Sequence, residues 1–353
     1  MNNQKDLLSW YMLNKRDLPW RNTQDPYLIW LSEIILQQTR VAQGLPYFEK
    51  FVEKFPHVEL LANAPQDEVL KLWQGLGYYS RARNMHKTAQ KIVNDFEGIF
   101  PDNYKNLLKL TGIGPYTAAA IASFAYDEPV AVLDGNVFRV LARFFNLSES
   151  IQTNEAKKIF TQLANHFLNI TQPALHNQAM MELGALVCTP YNPNCSACPL
   201  QNNCQSLHIG NQASLPVKTK KVVVKNRYLA YFHFDCLGEL AIFKRSDKGI
   251  WQDLYDLPYL ESDKKLQKSD WLLNASELNW VKSDESIVLL FEKKHVLTHL
   301  NIYAQFFYVK KVIKPVLNLQ ESWLPKNKVA KLGVSRLLEL YFEKFNLKSK
   351  SIL

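Results

Sequence analysis

Long apolar runs are missing from this chain of 353 residues. No stretch of about 20 consecutive apolar residues occurs, so neither a membrane span nor a membrane partner is expected. The N-terminus, MNNQKDLLSWYMLNKRDLPW, lacks a basic start followed by an apolar core. It does not read as a secretory signal, and a cytoplasmic location is expected. Cysteine is scarce: there are five, and four fall between Cys188 and Cys204. A secreted disulfide scaffold would spread them more widely, whereas this tight cluster reads as a metal site in a reducing compartment. Charged residues make up 21% and hydrophobic ones 47%, which excludes a disordered chain. Internal repeats and low-complexity tracts are also absent, and the length fits two domains better than one.

The charge that is present leans one way, to a net +9 and a pI of about 9.1. That balance suits a polyanionic partner such as nucleic acid, although an ordinary basic protein would share it. Residues 1–209 read as mostly helical, with apolar residues at helical spacing in DPYLIWLSEIILQQT, NLLKLTGIGPYTAAAIASFA and GNVFRVLARFFNL. Asp25-Pro26 marks a helix start, with Pro26 at its first position. Residues 210–226 read as a linker, with Lys218, Lys220, Lys221 and Lys225 and no acidic residue. Such a segment is a solvated tether or one that lies along DNA. From Arg227 the pattern changes. RYLAYFHFD and ELAIFKR flank a turn at Cys236-Leu237-Gly238 as a hairpin. SIVLLFEKKHVLTHLNIYAQFFYVKK reads as strands, and KVAKLGVSRLLELYFEKF as one amphipathic helix, so residues 227–353 form an α+β domain.

Four features carry chemistry. The cysteines are spaced Cys188-x6-Cys195-x2-Cys198-x5-Cys204, and four thiolates can hold zinc or a 4Fe–4S cluster. Cys236 sits in a strand and reads as core. Gly112-Ile113-Gly114 is a turn opening a helix, whose N–H groups would grip a phosphate. Asp134-Gly135 precedes another helix, so Asp134 is an N-cap, a carboxylate kept ionised by the helix terminus, or both. In WLSEIILQQTRV, Glu33 stands among apolar residues. It is either a surface glutamate on an amphipathic helix or a buried carboxyl of raised pKa, able to act as a general acid.

Taken together, these segments resemble a known family. Gly112-Ile113-Gly114-Pro115-Tyr116 followed by Leu133-Asp134-Gly135-Asn136 looks like the helix-hairpin-helix and Gly/Pro…Asp motif of base-excision DNA glycosylases. The cysteine spacing matches the cluster loop of the endonuclease III and adenine glycosylase superfamily. LPWR…PYLIWLSEIILQQT, GLGYYSRAR and NQAMMELGALVC resemble adenine glycosylases of the MutY type. The resemblance implies a mainly α helix-hairpin-helix glycosylase domain with a 4Fe–4S subdomain, followed by an α+β Nudix (MutT-like) domain. It implies that Glu33 protonates adenine N7, that Asp134 stabilises the sugar cation, and that Tyr116 and Asn136 are supporting polar groups near Asp134. Bifunctional members carry a lysine at the position of Tyr116, so weak or no lyase activity is implied. Leu36, Gln38 and Tyr78 are placed at the wedge in the base stack, and Trp20, Arg21, Gln178 and Glu182 around the extruded base. Gly112 and Gly114 contact the DNA backbone.

The C-terminal part resembles Nudix domains through Gly249-Ile250-Trp251 and Leu257-Pro258, but the carboxylate box of active hydrolases is missing. That implies recognition of 8-oxoguanine rather than nucleotide hydrolysis. The family's His-x-Phe-Ser-His segment reads here His295-Val296-Leu297-Thr298-His299. Thr298 keeps a hydroxyl, with His299 beside it, whereas Leu297 lacks an aromatic face. The implied partner is double-stranded DNA holding 8-oxoguanine:A or G:A mispairs, bound by a monomer in the bacterial nucleoid. An endonuclease III-type lyase, a non-catalytic DNA-binding protein and a nucleotide hydrolase are the alternatives. Tyr116, the Glu33/Asp134 pair and the missing box argue against them in turn.

Overall fold

The structure, a computed structural model, describes residues 3–217 and 223–345. Lys218, Lys220 and Lys221 of the expected linker lie outside the described residues. Two compact units are present. One comprises the chain up to Asn63 and from Asn84 to the linker; the other joins Ala64–Arg83 to the C-terminal part.

The periodic segments of the first part fold as helices. They are α1 (Asn3–Asn14), α2 (Pro26–Leu36), α3 (Val41–Lys54), α4 (Val58–Asn63), α5 (Gln66–Leu72), α6 (Ser80–Phe96), α7 (Tyr104–Leu107), α8 (Pro115–Tyr126), α9 (Gly135–Phe144), α10 (Asn154–Phe167), α11 (Pro173–Leu186) and α12 (Gln205–Ile209). Asp25 caps α2, its carboxylate accepting from the Tyr27 N–H at 2.8 Å, with Pro26 at the first position as the sequence indicates. Helices α2 and α8 are buried over most of their length, so they are central rather than amphipathic surface helices. A core built from α1, α9, α10 and α11 includes Tyr11, Val140, Phe160 and Leu183. No helix among the described residues is long and apolar enough to cross a membrane.

The second unit is built on a mixed sheet of seven strands. These are β1 (Lys225–Cys236), β2 (Glu239–Lys244), β3 (Tyr255–Asp256), β4 (Tyr259–Ser262), β5 (Ile287–Val296), β6 (Leu300–Lys311) and β7 (Ser322–Pro325). The order is β3-β2-β1-β6-β5, with β4 on β1 and β7 on β2; only β1 and β6 run parallel among the named strand pairs. The expected hairpin forms: Leu237 and Gly238 both have positive φ, at 53° and 86°, the geometry of a two-residue turn that follows strand twist. Helix α13 (Lys268–Glu277) covers one sheet face, packing Trp271 and Ala275 on Ala230, Phe232 and Phe307. Cys236 is buried, as the strand reading implies.

The segment KVAKLGVSRLLELYFEKF is not one helix. It divides into α14 (Lys326–Val329) and α15 (Arg336–Lys344). Between them Val334 forms a parallel bridge to Tyr255, and the Gly333 carbonyl accepts from the Tyr255 N–H at 2.9 Å. Tertiary strand pairing overrides the helical pattern. Ser335 then restarts the helix, its hydroxyl accepting from the Leu338 N–H at 3.2 Å. Within this unit Lys71 donates to the carbonyls of Ala330 and Leu332, at 2.9 Å each, which ties α5 to the same turn. Replacing the buried cap, Ser335→Ala, will lower stability by about 1 kcal/mol in urea unfolding of the full chain.

Candidate active site

In α2, Glu33 is only 6% exposed, so it is not a surface residue of an amphipathic helix. Tyr116, in the first turn of α8, donates its phenol to Glu33 Oε2. Burial raises the Glu33 carboxyl from 4.5 to about 7; the Tyr116 bond and Arg21 pull it down, and the charge of Asp134 pushes it up. Tyr116 therefore bonds Glu33; burial and then Glu33 raise its phenol, and it lies near enough to Asp134 for that carboxylate's charge to raise it as well.

Asp134 caps α9. Its Oδ1 accepts from the Val137 N–H and its Oδ2 from the Asn136 side chain, both at 2.7 Å. Burial raises Asp134 above its usual value, while the hydrogen bonds from Val137 and Asn136 oppose that rise. The helix terminus is thus not the controlling influence; desolvation is.

The two carboxylates line the same space. A cavity of about 940 Å³ runs from them past Gln38 and the Gly112–Pro115 turn to the exposed Tyr191. A smaller one, about 180 Å³, opens from them towards Trp20, Arg21, Gln178 and Glu182. Leu36, Tyr116 and Asn136 border both. The turn is shaped by glycine. Gly112 has φ of 75°, and a Cβ there would come within 2.8 Å of Asn84 Cβ. Gly114 then caps α8, with its N-terminal end in the cavity wall. Gln38, at φ 56°, and Tyr78, at φ 47°, both adopt left-handed backbone, a conformation that costs a non-glycine residue some strain.

Sequence reasoning named Arg21, Gln178 and Glu182 but missed Arg16 and Tyr11, which hold them. Glu182 is fully enclosed and accepts from Arg16 at 2.8 and 2.6 Å and from Arg21 at 2.7 Å. Burial alone would raise its carboxyl, but the two guanidinium groups hold it at about 2. Tyr11 donates to Gln178 Oε1 at 2.7 Å. Only the need of a buried carboxylate for a partner pointed to Arg16, and nothing in the sequence pointed to Tyr11.

Two buried arginines, one turn apart on α9, connect Asp134 to the cysteine loop. Arg139 donates to Asn136 Oδ1 at 2.8 Å, to the Gly184 carbonyl at 2.7 Å and to the Cys188 carbonyl at 2.7 Å. Arg143 donates to the Thr189 carbonyl at 2.7 Å, the Leu215 carbonyl at 3.1 Å and Cys188 Sγ at 3.4 Å. Arginines inside an apolar stripe were the signal available in FRVLARF, since such groups are buried only when paired. Cys188, Cys195, Cys198 and Cys204 form no disulfide, and Cys188, Cys198 and Cys204 pack at the edge of the core of α1, α9, α10 and α11. Burial first, and then the three neighbouring sulfurs, push the Cys198 thiol up to about 12. Among the described residues, no group of three or more His, Cys, Asp or Glu side chains is arranged to hold a metal ion.

In the second unit, the expected recognition segment is the β5–β6 tip. The Thr298 hydroxyl lies 2.8 Å from the Tyr78 phenol, and Thr298 and His299 are exposed. Trp251, of the Gly249-Ile250-Trp251 signature, is buried with its ring 6.2 Å from that of His295.

Residues 31–166 match the model of the HhH-GPD superfamily of base excision DNA repair proteins, and residues 229–344 match a NUDIX domain. A relative from Buchnera aphidicola (subspecies Baizongia pistaciae), an adenine DNA glycosylase, is 36% identical over 311 residues, covering 86% of this chain and 84% of the relative. The chain belongs to the adenine DNA glycosylase family. It is accordingly an enzyme of base excision repair, a hydrolase acting on N-glycosyl bonds. The adenine DNA glycosylase of Mus musculus is 42% identical over 225 residues, 60% of this chain and 44% of that relative. Among solved structures, a thermostable thymine-DNA glycosylase superposes with a TM-score of 0.54 at 29% identity, over 58% of this chain and 95% of its own. The helical unit thus has the glycosylase fold, and the mixed sheet the Nudix fold, as the resemblance implies.

The geometry fixes two outcomes. Because the folded Glu33 carboxyl titrates near 7 rather than 4.5, its contribution to stability is present below pH 4.5 and lost as pH climbs to 7. Glu33→Gln will therefore be more stable than wild type by about 1–3 kcal/mol at about pH 8.5, with the gap closing by about pH 5, in urea titrations. At Gly184, a Cβ would lie 2.6 Å from Asn136 Cβ, so Gly184→Ala will lower the melting temperature and displace Asp134. Its single-turnover rate will fall by about a hundredfold.

Proposed function

We propose that this chain is a monofunctional glycosylase that removes adenine mispaired with 8-oxoguanine, or with guanine, from duplex DNA. The observation that carries the reading is the Glu33–Asp134 pair: two buried carboxylates in one cavity, the former held near 7 by burial. Adenine is a poor leaving group, and Glu33 in its protonated form delivers a proton to N7 of the extruded base. Departure leaves a cationic sugar, which Asp134, held in place by Asn136 and Val137, stabilises as an ion or as a brief covalent adduct. Water then completes hydrolysis. The inner pocket supports selection of the base, with Trp20 at its wall and Gln178 and Glu182 as hydrogen-bonding edges. Leu36, Gln38 and Tyr78 fill the stack the base has left, and Gly112 and Gly114 grip the backbone. Tyr116 sits where a lyase would carry lysine, which argues for a single activity.

The MutT-like domain, expected over residues 227–353 beyond a 210–226 linker and built in the structure from Lys225 onward together with Ala64–Arg83, reads the lesion through Thr298 and His299. The catalytic domain, 1–209, ends in the cysteine loop. Four soft thiolates backed by Arg139 and Arg143 fit a 4Fe–4S cluster better than a hard cation, and Cys188, Cys195, Cys198 and Cys204 would hold it. Bound there, the cluster supplies a covalent clamp on the 188–204 loop. The chain acts as a monomer on DNA in the bacterial cytoplasm.

The test is single-turnover cleavage of duplexes with one adenine opposite 8-oxoguanine or guanine. Strand breaks will need alkali, will be faster opposite 8-oxoguanine and will vanish in Asp134→Asn. Equal rates on the two duplexes would refute the lesion reading, and breaks without alkali the monofunctional one. Activity that needs protonated Glu33 will fall as pH rises through about 7. Tyr116 lowers that pKa, so Tyr116→Phe will carry the falling limb to higher pH.

A further inference from the structure

The sheet face covered by α13 continues beyond it, and there its character changes. The apolar core ends at Tyr228, which is only partly buried. Across four strands one rung reads Ser262, Tyr228, Tyr303, Lys294, each the direct partner of the next. The two tyrosine rings stack at 5.1 Å with 16° between their planes, and the Lys294 ammonium lies 5.3 Å from the centre of the Tyr303 ring. Two residues earlier on the same face, Asn301 donates to Asn226 at 3.1 Å. Two residues further on, Gln305 donates to Glu292 at 2.7 Å, which occupies the carboxylate nearest the groove. Lys265 and Lys293 complete a cavity of about 280 Å³ over this rung.

Aromatic rings on an open sheet face, flanked by amides and lysines, are how nucleic-acid sheets take bases: the ring stacks, the amide bonds the base edge and the ammonium meets phosphate. Sequence adds a direction. Lys225, at the start of β1, ends the lysine-rich segment that begins at Lys218 and has no acidic residue. This basic stretch leads directly into the strand that carries Tyr228. Three lysines against one engaged carboxylate leave the groove positive. None of the residues that line the groove belongs to the excision pocket or to the β5–β6 tip.

We propose that this end of the sheet is a second nucleotide-binding site, taking a nucleobase on the Tyr228–Tyr303 pair and its phosphate on Lys265 and Lys294. The same chemistry is offered by a free nucleoside monophosphate and by an unpaired nucleotide within a DNA strand.

The experiment uses the full chain and a short oligothymidylate bearing one 5-iodouracil, cross-linked by light and mapped by mass spectrometry. An adduct on Tyr228 or Tyr303 is expected. Removal of that adduct by excess deoxyadenosine monophosphate identifies the free nucleotide as a ligand, and removal by unlabelled oligothymidylate alone identifies the strand. Paired Tyr228→Ser and Tyr303→Ser changes will weaken oligothymidylate binding by about tenfold. Because those changes touch the edge of the core, the exposed pair Lys265→Glu and Lys294→Glu is measured alongside. It will lower the salt slope by about two while leaving excision of adenine unchanged. Adducts confined to residues of the helical unit, or an unchanged salt slope in the lysine variant, would overturn the proposal.

Discussion

Everything in the excision site hangs on how closely α11 approaches the start of α9. At Gly184 the two helices are so near that a single methyl group would collide with Asn136. The approach lets Arg139 reach the Gly184 carbonyl, Asn136 and the Cys188 carbonyl with one guanidinium group. Asn136 in turn holds Asp134, and α11 carries Gln178 and Glu182 to the pocket from the other side. A shift of either helix would move the Asp134 carboxylate, the inner pocket and the cysteine loop together.

Three carboxylates serve this one chamber, and burial acts on all of them in the same direction. Their partners decide the result. Glu182 receives two guanidinium groups and stays ionised; Glu33 receives a phenol and the field of another acid, and holds its proton to near neutrality. Asp134 lies between, its rise restrained by the N-cap bonds. A fixed anion and a titrating acid within a few side chains of each other are what protonation of a leaving group beside a developing cation requires.

Much of this was legible in the sequence. Pro26 behind Asp25, Gly112 before Gly114, and the Leu237-Gly238 turn are local devices, and local devices read directly. Glu33 was ambiguous because a single glutamate on an apolar helix fits both a surface and an interior. The ambiguity ends only when α2 is seen to be covered on all sides. The break between α14 and α15 was not legible, since it depends on Tyr255 pairing with Val334 across a long separation in sequence. Arg16 and Tyr11 were hidden for the same reason: their partners lie on α11, far along the chain.

The β5–β6 tip has a further consequence. Its frame is built from backbone bonds: the Leu297 N–H donates to the Leu300 carbonyl at 2.8 Å, and the Lys225 N–H to the His299 carbonyl at 3.0 Å, with the Thr298–Tyr78 hydroxyl pair as a side-chain tie. The side chains of Thr298 and His299 stand outside that frame, exposed. Scaffold and exposed side chains are therefore separable. Changes at Thr298 and His299 leave those backbone bonds in place, so the chemistry that the tip presents is free to vary while the frame beneath it stays fixed.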